Sequence, residues 1–526
     1  MQKNTLRWAL AAALVVSTAV DAARTRPAGA ADADEKWESW EQHQALAASS
    51  DWNGVEWRDI GPNDQGGRIV DIAMVPGQPY TFYVAFASGG LWKTTNAGVS
   101  FEPLFQDQAT IIMGDIAVDP SNPETVWVGT GENNSSRSSY GGLGVFRSTD
   151  GGETWESRGL DETDRTGRIL IDPRDSNTVY VASLGKLYTQ GGDRGVFRTR
   201  DGGDTWEQII EGEGWIGAID LAFKPGDPDT LYASMWERSR NAWNFVEGGE
   251  GTALWKSTDG GDSWAKLGGG LPSGEHVGRI GIGVTPAAPD TIYALIDNQE
   301  PLPEDEWDLG DRPINAKRLR TMSKEDFLNQ EDDEIERFIR SSDMPVTIDA
   351  KKLKAMIESD ELALEDLLEE LNDANANLFN TDIRGLEVYR SDDGGQSWAR
   401  THDEPIDSVV FTYGYYFGEI RVSPSDPDRI YALGVPIVAS SDGGKTWENI
   451  NAPHVHVDHH ALWIDPEFPD RLLLGNDGGL DISYDAGETW QRLDDMPVGQ
   501  FYTVNVDMAQ PYNVYGGLQD NGTIKC

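Results

Sequence analysis

Cysteine, positive charge and long apolar runs are what this chain lacks. The one cysteine among 526 residues is Cys526, so no disulfide can form within the chain. A chain of this length can bury a core that needs no such staple, so the shortage does not argue against export. Lysine and arginine total 43 against 89 aspartates and glutamates, a net charge of −46. A surface this acidic repels phosphate backbones and anionic membranes, which excludes nucleic acid as an expected partner. It suits a protein kept soluble in a salty medium, with cation binding as the second explanation. Beyond the N-terminus no apolar stretch is long enough to cross a bilayer, so no membrane span is expected.

Residues 1–22 have the parts of a secretory signal peptide. Lys3 and Arg7 give the positive start, Trp8 to Val20 the apolar segment, and Val20-Asp21-Ala22 the small residues for cleavage. The mature chain is therefore expected in the periplasm or outside the cell. Residues 23–54 read as an Ala-rich, charged leader or linker, weakly helical from Glu35 to Ala48.

What the chain does have is glycine, tryptophan and a returning motif. Gly 58 and Trp 19 fit a turn-rich all-β protein. Ser148-Thr149-Asp150-Gly151-Gly152-Glu153-Thr154-Trp155 is the clearest copy. Others centre on Asp201, Asp259, Asp393, Asp442 and Asp485, and a worn copy runs from Asn96 to Phe101. The chemistry suits a hairpin: an Asp or Asn accepts backbone N–H bonds, Gly takes positive φ, and Thr-Trp opens the next strand. Around each copy the grammar is constant. One strand ends in a proline, as at Pro76, Pro120 and Pro173, and three more follow, giving four strands in about 43 to 58 residues. Seven complete units are visible, and an eighth begins at Phe501-Tyr502-Thr503-Val504. Val55 to Ile60 resembles the strand after each motif, and a strand there without a blade would close a ring. Between Trp264 and Trp398 one unit carries an excess, residues 300–380, with helical apolar spacing and N-cap candidates Ser323 and Asp349.

The pattern S-x-D-x-G-x-T-W resembles the Asp-box, or BNR repeat, of sialidases, sortilins and family 74 glycoside hydrolases. The resemblance implies an all-β fold: a seven- or eight-bladed β-propeller over residues 55–526, with Asp-box hairpins and a small helical insertion in blade five. It also implies that the boxes cap the blades on the face away from the ligand. The chain is most similar to exported bacterial proteins called sortilin-like or BNR-repeat glycosyl hydrolase-like. Those are about twice as long, so it resembles their N-terminal half, and a second propeller is expected outside it.

In such a fold the loops entering the innermost strands surround the central channel. The residues at those entries form a column: Arg68, Asp115, Arg168, Ala218, Arg279, Glu419 and His460. Arg68, Arg168 and Arg279 could converge on an anionic group, or could pair with Asp115, Glu419 and their neighbours to line the channel. A second constellation is His454-Val455-His456-Val457-Asp458-His459-His460, which holds four of the 7 histidines. On an extended strand His454, His456, Asp458 and His460 share one face, as metal ligands would. A ligand-facing polar loop and a structural role stand beside that reading. The spacing also matches the metallo-β-lactamase signature, but that superfamily needs later histidines and none follows His460. Trp215, Trp236, Trp243, Phe245, Tyr413, Tyr415, Tyr416 and Phe417 supply flat rings for a sugar, or for packing between blades. Glu132-Asn133-Asn134 and Asn476-Asp477-Gly478-Gly479 add polar loop groups.

Both enzyme families fit poorly at their motifs. Family 74 enzymes place a catalytic Asp in R-T-D-x-G-G, and the matching stretch is Ala85-Phe86-Ala87-Ser88-Gly89-Gly90, with Ala87 in the Asp position. Sialidases carry Arg-Ile-Pro, whereas this chain continues Arg68-Ile69-Val70. The leading expectation is an exported module holding a peptide or glycan on the channel face, through Arg68, Arg168, Arg279, Trp215, Tyr415, Tyr416 and His460, without a cofactor. The rival is a xyloglucanase-like glycoside hydrolase using Asp115, Glu419 or Asp458. A scaffold for cell-surface assembly is the third. The metal candidates are His456, Asp458 and His460.

Overall fold

The repeated motif forms the hairpin that its chemistry dictates. In the copy at Asp150, the Ser148 hydroxyl donates to Asp150 Oδ1 and accepts from the Gly152 amide. The same carboxylate accepts from Thr154 N at 2.9 Å and from its hydroxyl at 2.6 Å. Gly151 and Gly152 take φ of 70° and 97°, where a Cβ would be strained. In three copies the tryptophan then ties neighbouring units together, whereas Trp264, Trp398 and Trp447 donate within their own turns. Trp155 Nε1 donates to Leu104 O, Trp206 Nε1 to Arg158 O, and Trp490 Nε1 to Ile450 O.

The computed structural model describes residues 33–56, 60–61, 66–241, 243–303, 306, 311–342, 344, 347–364, 367, 382–406, 409–410 and 414–526. Among them are seven four-stranded antiparallel sheets, one three-stranded sheet and a short two-stranded ribbon. The seven are the blades. Their innermost strands are Ile69–Met74, Met113–Val118, Thr166–Ile171, Ile216–Lys224, Val277–Val284, Ile420–Val422 and His459–Ile464. Each lies against the next, and the strand of blade seven lies against that of blade one, so the ring closes. Between blades pack the apolar clusters, such as Ile72, Phe82, Leu473 and Leu480 between the last blade and the first.

Two expectations change here. Every blade, the seventh included, takes all four strands from one continuous stretch, blade seven ending in Gln491–Leu493. Among the described residues, closure comes from face-to-face packing of the last and first blades. Residues 57–59 of the stretch expected to supply a closing strand lie outside the described residues. The eighth sheet, Phe501–Val506 with Val514–Leu518 and Thr523–Lys525, is not part of the ring.

The leader forms a helix, Ala33–Ser49, that docks on the ring. Lys36 Nζ reaches Gly142 O and Asp164, and the Trp37 ring lies 6.3 Å from that of Phe146. Four helices between Ala316 and Glu358 fall between the second and third strands of blade five. Ser323 and Asp349 cap two of them, accepting from Asp326 N and Lys352 N. Phe327, Ile335, Phe338, Leu353 and Ile357 form their own apolar core. The signal-peptide residues lie outside the described residues. No described helix is long and apolar enough to cross a membrane.

Candidate functional site

At the channel, the side chains that sequence reasoning aligned separate into two tiers. The lower tier is organised by Arg168. Its guanidinium donates to Asp220 at 3.0 Å, to Asp115 at 2.9 Å and to both oxygens of Glu419 at 3.1 Å. Arg279 and Arg421 reach the same Glu419 at 3.3 and 2.5 Å. The aspartates also staple blades together. Asp71 accepts from Ile116 N in the next blade, Asp115 from Ile169 N, and Asp220 from Ile282 N. Burial alone would raise Glu419, but Arg421, Arg168 and Arg279 outweigh it and hold its pKa at about 2. Burial pushes Asp115 up, only partly offset by Arg168. Arg168 is thus committed to three carboxylates, the lining arrangement rather than the free anion receptor.

The upper tier is a plug. The loop around Tyr415, Tyr416 and Phe417 crosses the channel mouth. Ser135 N of blade two donates to Tyr415 O at 3.1 Å. Arg68 donates to Tyr416 Oη and to Glu132, both at 2.5 Å, and its Nη1 lies 3.5 Å from Asp477. His460 Nε2 pairs with Asp477 at 2.9 Å, and its ring stacks 5.4 Å from Phe417. Burial would raise Asp477, but the hydrogen bond and charge of His460, with Arg68, hold it at about 2. Tyr415 meets Phe245 edge-on at 4.6 Å, and Trp236 is buried with its N–H on Glu247 O. Trp215 packs under Arg194, whereas Trp243 stands 76% exposed. Tyr413 lies outside the described residues. Most of these rings therefore pack against protein.

Residues 454–460 are not one extended strand. The innermost strand of blade seven begins only at His459, and Asp458 takes φ of 69°, which breaks the alternation on which a shared face depends. The imidazoles disperse: His454 to Trp490 O, His456 to Val457 O and Asp520 O, His459 to Asn451, His460 to Asp477. Among the described residues, no three His, Cys, Asp or Glu side chains cluster as metal ligands. Burial and the nearby Asp477 raise Asp458 to about 6, and burial lowers His459 to about 3.

The two tiers have a legible cause. Counting five residues back from each strand-end proline gives Asp71, Asp115, Arg168, Asp220, Gly281, Glu419 and Ala461. Asp115, Asp220 and Glu419 bond Arg168 directly, and Asp71 feels its charge without contact. Arg68, Ala218, Arg279 and His460 sit further upstream, displaced by irregularities such as those between Ile69 and Asp71 and between Ala218 and Asp220. Asp71 and Asp220 were missed for this reason. The recurring Asp71-Ile72-Ala73, Asp115-Ile116-Ala117 and Asp220-Leu221-Ala222 was the available signal.

Open space lies beside the channel. A cleft of about 310 Å³ separates blade one from the 497–500 connection to the eighth sheet. Ser88, Trp92, Gln106, Val498, Gln500 and Arg68 line it. It abuts the stretch Ala85 to Gly90, where Ala87 is buried. Arg68 Nη2 is buried and without a hydrogen-bond partner among the described residues. Among the described residues, no carboxylate lines it.

Comparison with known proteins places these features. A family profile described as Sortilin, neurotensin receptor 3 (Sortilin-Vps10) matches residues 144–336. Xyloglucanase Xgh74A of Acetivibrio thermocellus is 30% identical over 239 residues, 39% of this chain and 27% of the relative. A xyloglucanase of a Paenibacillus species is 22% identical over 252 residues, 41% of this chain and 22% of the relative. The chain thus spans about a quarter of the length of these curated relatives. Among solved structures, the family 74 xyloglucanase of Xanthomonas campestris aligns with a TM-score of 0.55 at 15% identity, covering 89% of this chain and 60% of that one. The Niastella koreensis family 74 enzyme aligns with a TM-score of 0.53 at 14% identity, covering 88% and 59%. Together with the repeats and the ring of blades, these matches support a BNR-type, Asp-box β-propeller similar to the propellers of the family 74 xyloglucanases.

Proposed function

We propose that the chain is an exported recognition propeller that binds a glycan in the cleft beside blade one and does not cleave it. The observation that carries this reading is the make-up of that cleft. Arg68 keeps a buried donor without a partner among the described residues, Gln500 brings an amide, Gln106 bonds Gly89 O and Phe105 N at the wall, and the largely buried Phe86, Trp92 and Val498 bring apolar edges. Hydrogen-bonding groups beside rings suit sugar hydroxyls and ring faces. Glycoside cleavage by the usual route needs two carboxyls about 5 to 10 Å apart across the sugar. Among the described residues the lining supplies none, and Ala87 stands where the resemblance calls for the catalytic Asp. Asp115 and Glu419 are spent on Arg168. The xyloglucanase names of the relatives favour a β-glucan over a peptide as ligand. The N-terminal signal motif supports export.

Affinity electrophoresis through gels containing xyloglucan tests the reading. Retardation of the wild type, reduced at least fivefold by Gln500→Ala, is expected. Equal mobility with and without polysaccharide would reject it, and retardation in a peptide-grafted gel alone would shift the ligand to a peptide.

A further inference from the structure

The seven blades provide seven copies of one seam, and the two that flank blade seven lack its usual basic staple, Ala439 standing at that position in blade six. On the turn face, a basic residue in the third strand normally reaches the motif of the next blade. Lys93 donates to Gly151 O at 2.9 Å, Arg147 to Gly202 O at 3.4 Å, Arg198 to Gly260 O at 2.6 Å, and Lys256 to Gly394 O at 2.7 Å. Arg390 donates to Asp428 at 2.5 Å. An aromatic residue in the second strand backs most of these contacts: Tyr83 and Tyr180 donate to Gly151 O and Gly260 O, and Tyr293 to Pro427 O. In blade seven the corresponding positions are Leu473 and Ile482. Neither can donate a hydrogen bond, and Arg471 Nη2 crosses to blade one instead, donating to Pro79 O at 2.9 Å.

Beside that contact lies a cavity of about 490 Å³, floored by Met74, Leu473 and Ile482 and reaching the worn motif at Ala97. Three rings stand on its rim: Tyr80 at 61% exposure, Phe468 at 68% and Tyr484 at 63%. The other blades have polar residues or alanine at these places. Where blade one has Tyr80, the others carry Glu124, Asn177, Asp229, Asp290, Asp428 and Asp470. The counterparts of Phe468 include Asn122, Asp175, Asp227 and Asp426, and those of Tyr484 include Thr149, Thr258 and Ser441. Six polar siblings against one aromatic at the Tyr80 position mark a local departure, and exposed rings around apolar space mark a binding surface.

We infer that this seam is a second carbohydrate site, on the face opposite the cleft, that stacks the sugar rings of an uncharged polysaccharide. The charges at its rim decide the class of ligand. Asp470 is paired with Arg429 at 2.7 Å, and Arg471 with Asp465 at 3.0 Å. Little is left to hold an anion, and a net charge of −46 would repel an acidic polymer. Pyranose rings have apolar faces for Tyr80, Phe468 and Tyr484, and hydroxyls for the tyrosine Oη atoms and Glu467. Two sites on opposite faces would let one molecule bridge two polysaccharide chains.

The site is tested by restoring the sibling residues in the full chain: Tyr80→Asp, Phe468→Asp and Tyr484→Thr together. All three rings are exposed, and six other blades fold with such residues. The probe is a β-1,4-glucan oligosaccharide, followed by calorimetry and hydrogen exchange. Wild type should show slowed exchange across residues 466–472 on addition of sugar, in the Gln500→Ala variant as well. The triple variant should lose that protection and at least tenfold in affinity at this site, while keeping any binding in the cleft. Unchanged exchange at 466–472 in the wild type, or equal titrations of wild type and triple variant, would overturn the proposal. So would a concentration-dependent dimer abolished by the triple substitution, which would make the occupant a second copy of the chain. Failure in the cleft alone would leave protection at 466–472 intact, so the two readings separate.

Discussion

The turn face and the channel of this propeller use aspartate in opposite ways. At the turns, Asp150 is solvated and its partners lie within four residues, so Thr154 and Ser148 hydrogen bonds lower its pKa to about 2. In the channel, Asp115 is buried, its partners sit more than fifty residues away, and burial raises its pKa. The first arrangement needs only its own loop. The second exists only when several blades are in place, so it reports on the closed ring. Activity-like clusters of charge can therefore be architecture, and the difference yields tests of graded size.

The largest effect is expected from Arg168→Met, which leaves Asp115, Asp220 and Glu419 buried around an apolar side chain. Removing one partner of a buried network costs about 3–5 kcal/mol. Urea unfolding should show it, and adding Asp115→Asn and Glu419→Gln should recover part of the loss. A single local turn should cost less. Asp150→Ala removes one cap-like set of hydrogen bonds, about 1 kcal/mol by analogy with helix caps, readable in the same denaturant titration.

The pH dependence should split by sign. A turn aspartate with a folded pKa near 2 stabilises above pH 4, and that contribution disappears as pH falls through about 2. Asp458 behaves oppositely: raised to about 6, it is penalised once ionised, so its cost accumulates as pH rises from about 4 to 6. Asp458→Asn should melt higher than wild type above pH 6, with the gap closing below pH 4. Differential scanning at a series of pH values measures both. The smallest effect is expected from zinc. With the four imidazoles dispersed to separate partners, added Zn²⁺ should leave the melting temperature of wild type and of His456→Ala alike. A rise confined to the wild type would contradict that.

The fold was legible because its signal is local and repeated. Each turn motif specifies its own hydrogen bonds, and the prolines mark where each innermost strand ends. The helices in blade five were legible for the same reason, from spacing and the caps Ser323 and Asp349. The site was less so. Glycine-led alignment of strand entries mixed Arg68 and Arg279 with Asp115 and Arg168, because bulges shift the upstream residues by unequal amounts. Which partner Arg168 would choose depends on strands from four blades, and no local pattern encodes that. The channel plug at Tyr415 to Phe417 was seen only as aromatic composition, since the crossing to Ser135 is a long-range contact.

The central claim is that this propeller holds a glycan without cutting it. The most direct test incubates purified chain with xyloglucan oligosaccharides and reads, by mass spectrometry of the same sample, both the bound fraction and the chain lengths recovered. The account predicts bound sugar recovered at its original length, with binding weakened by Gln500→Ala. Shorter fragments that accumulate with time and protein concentration, and vanish on substituting Asp115, Glu419 or Asp458, would contradict it.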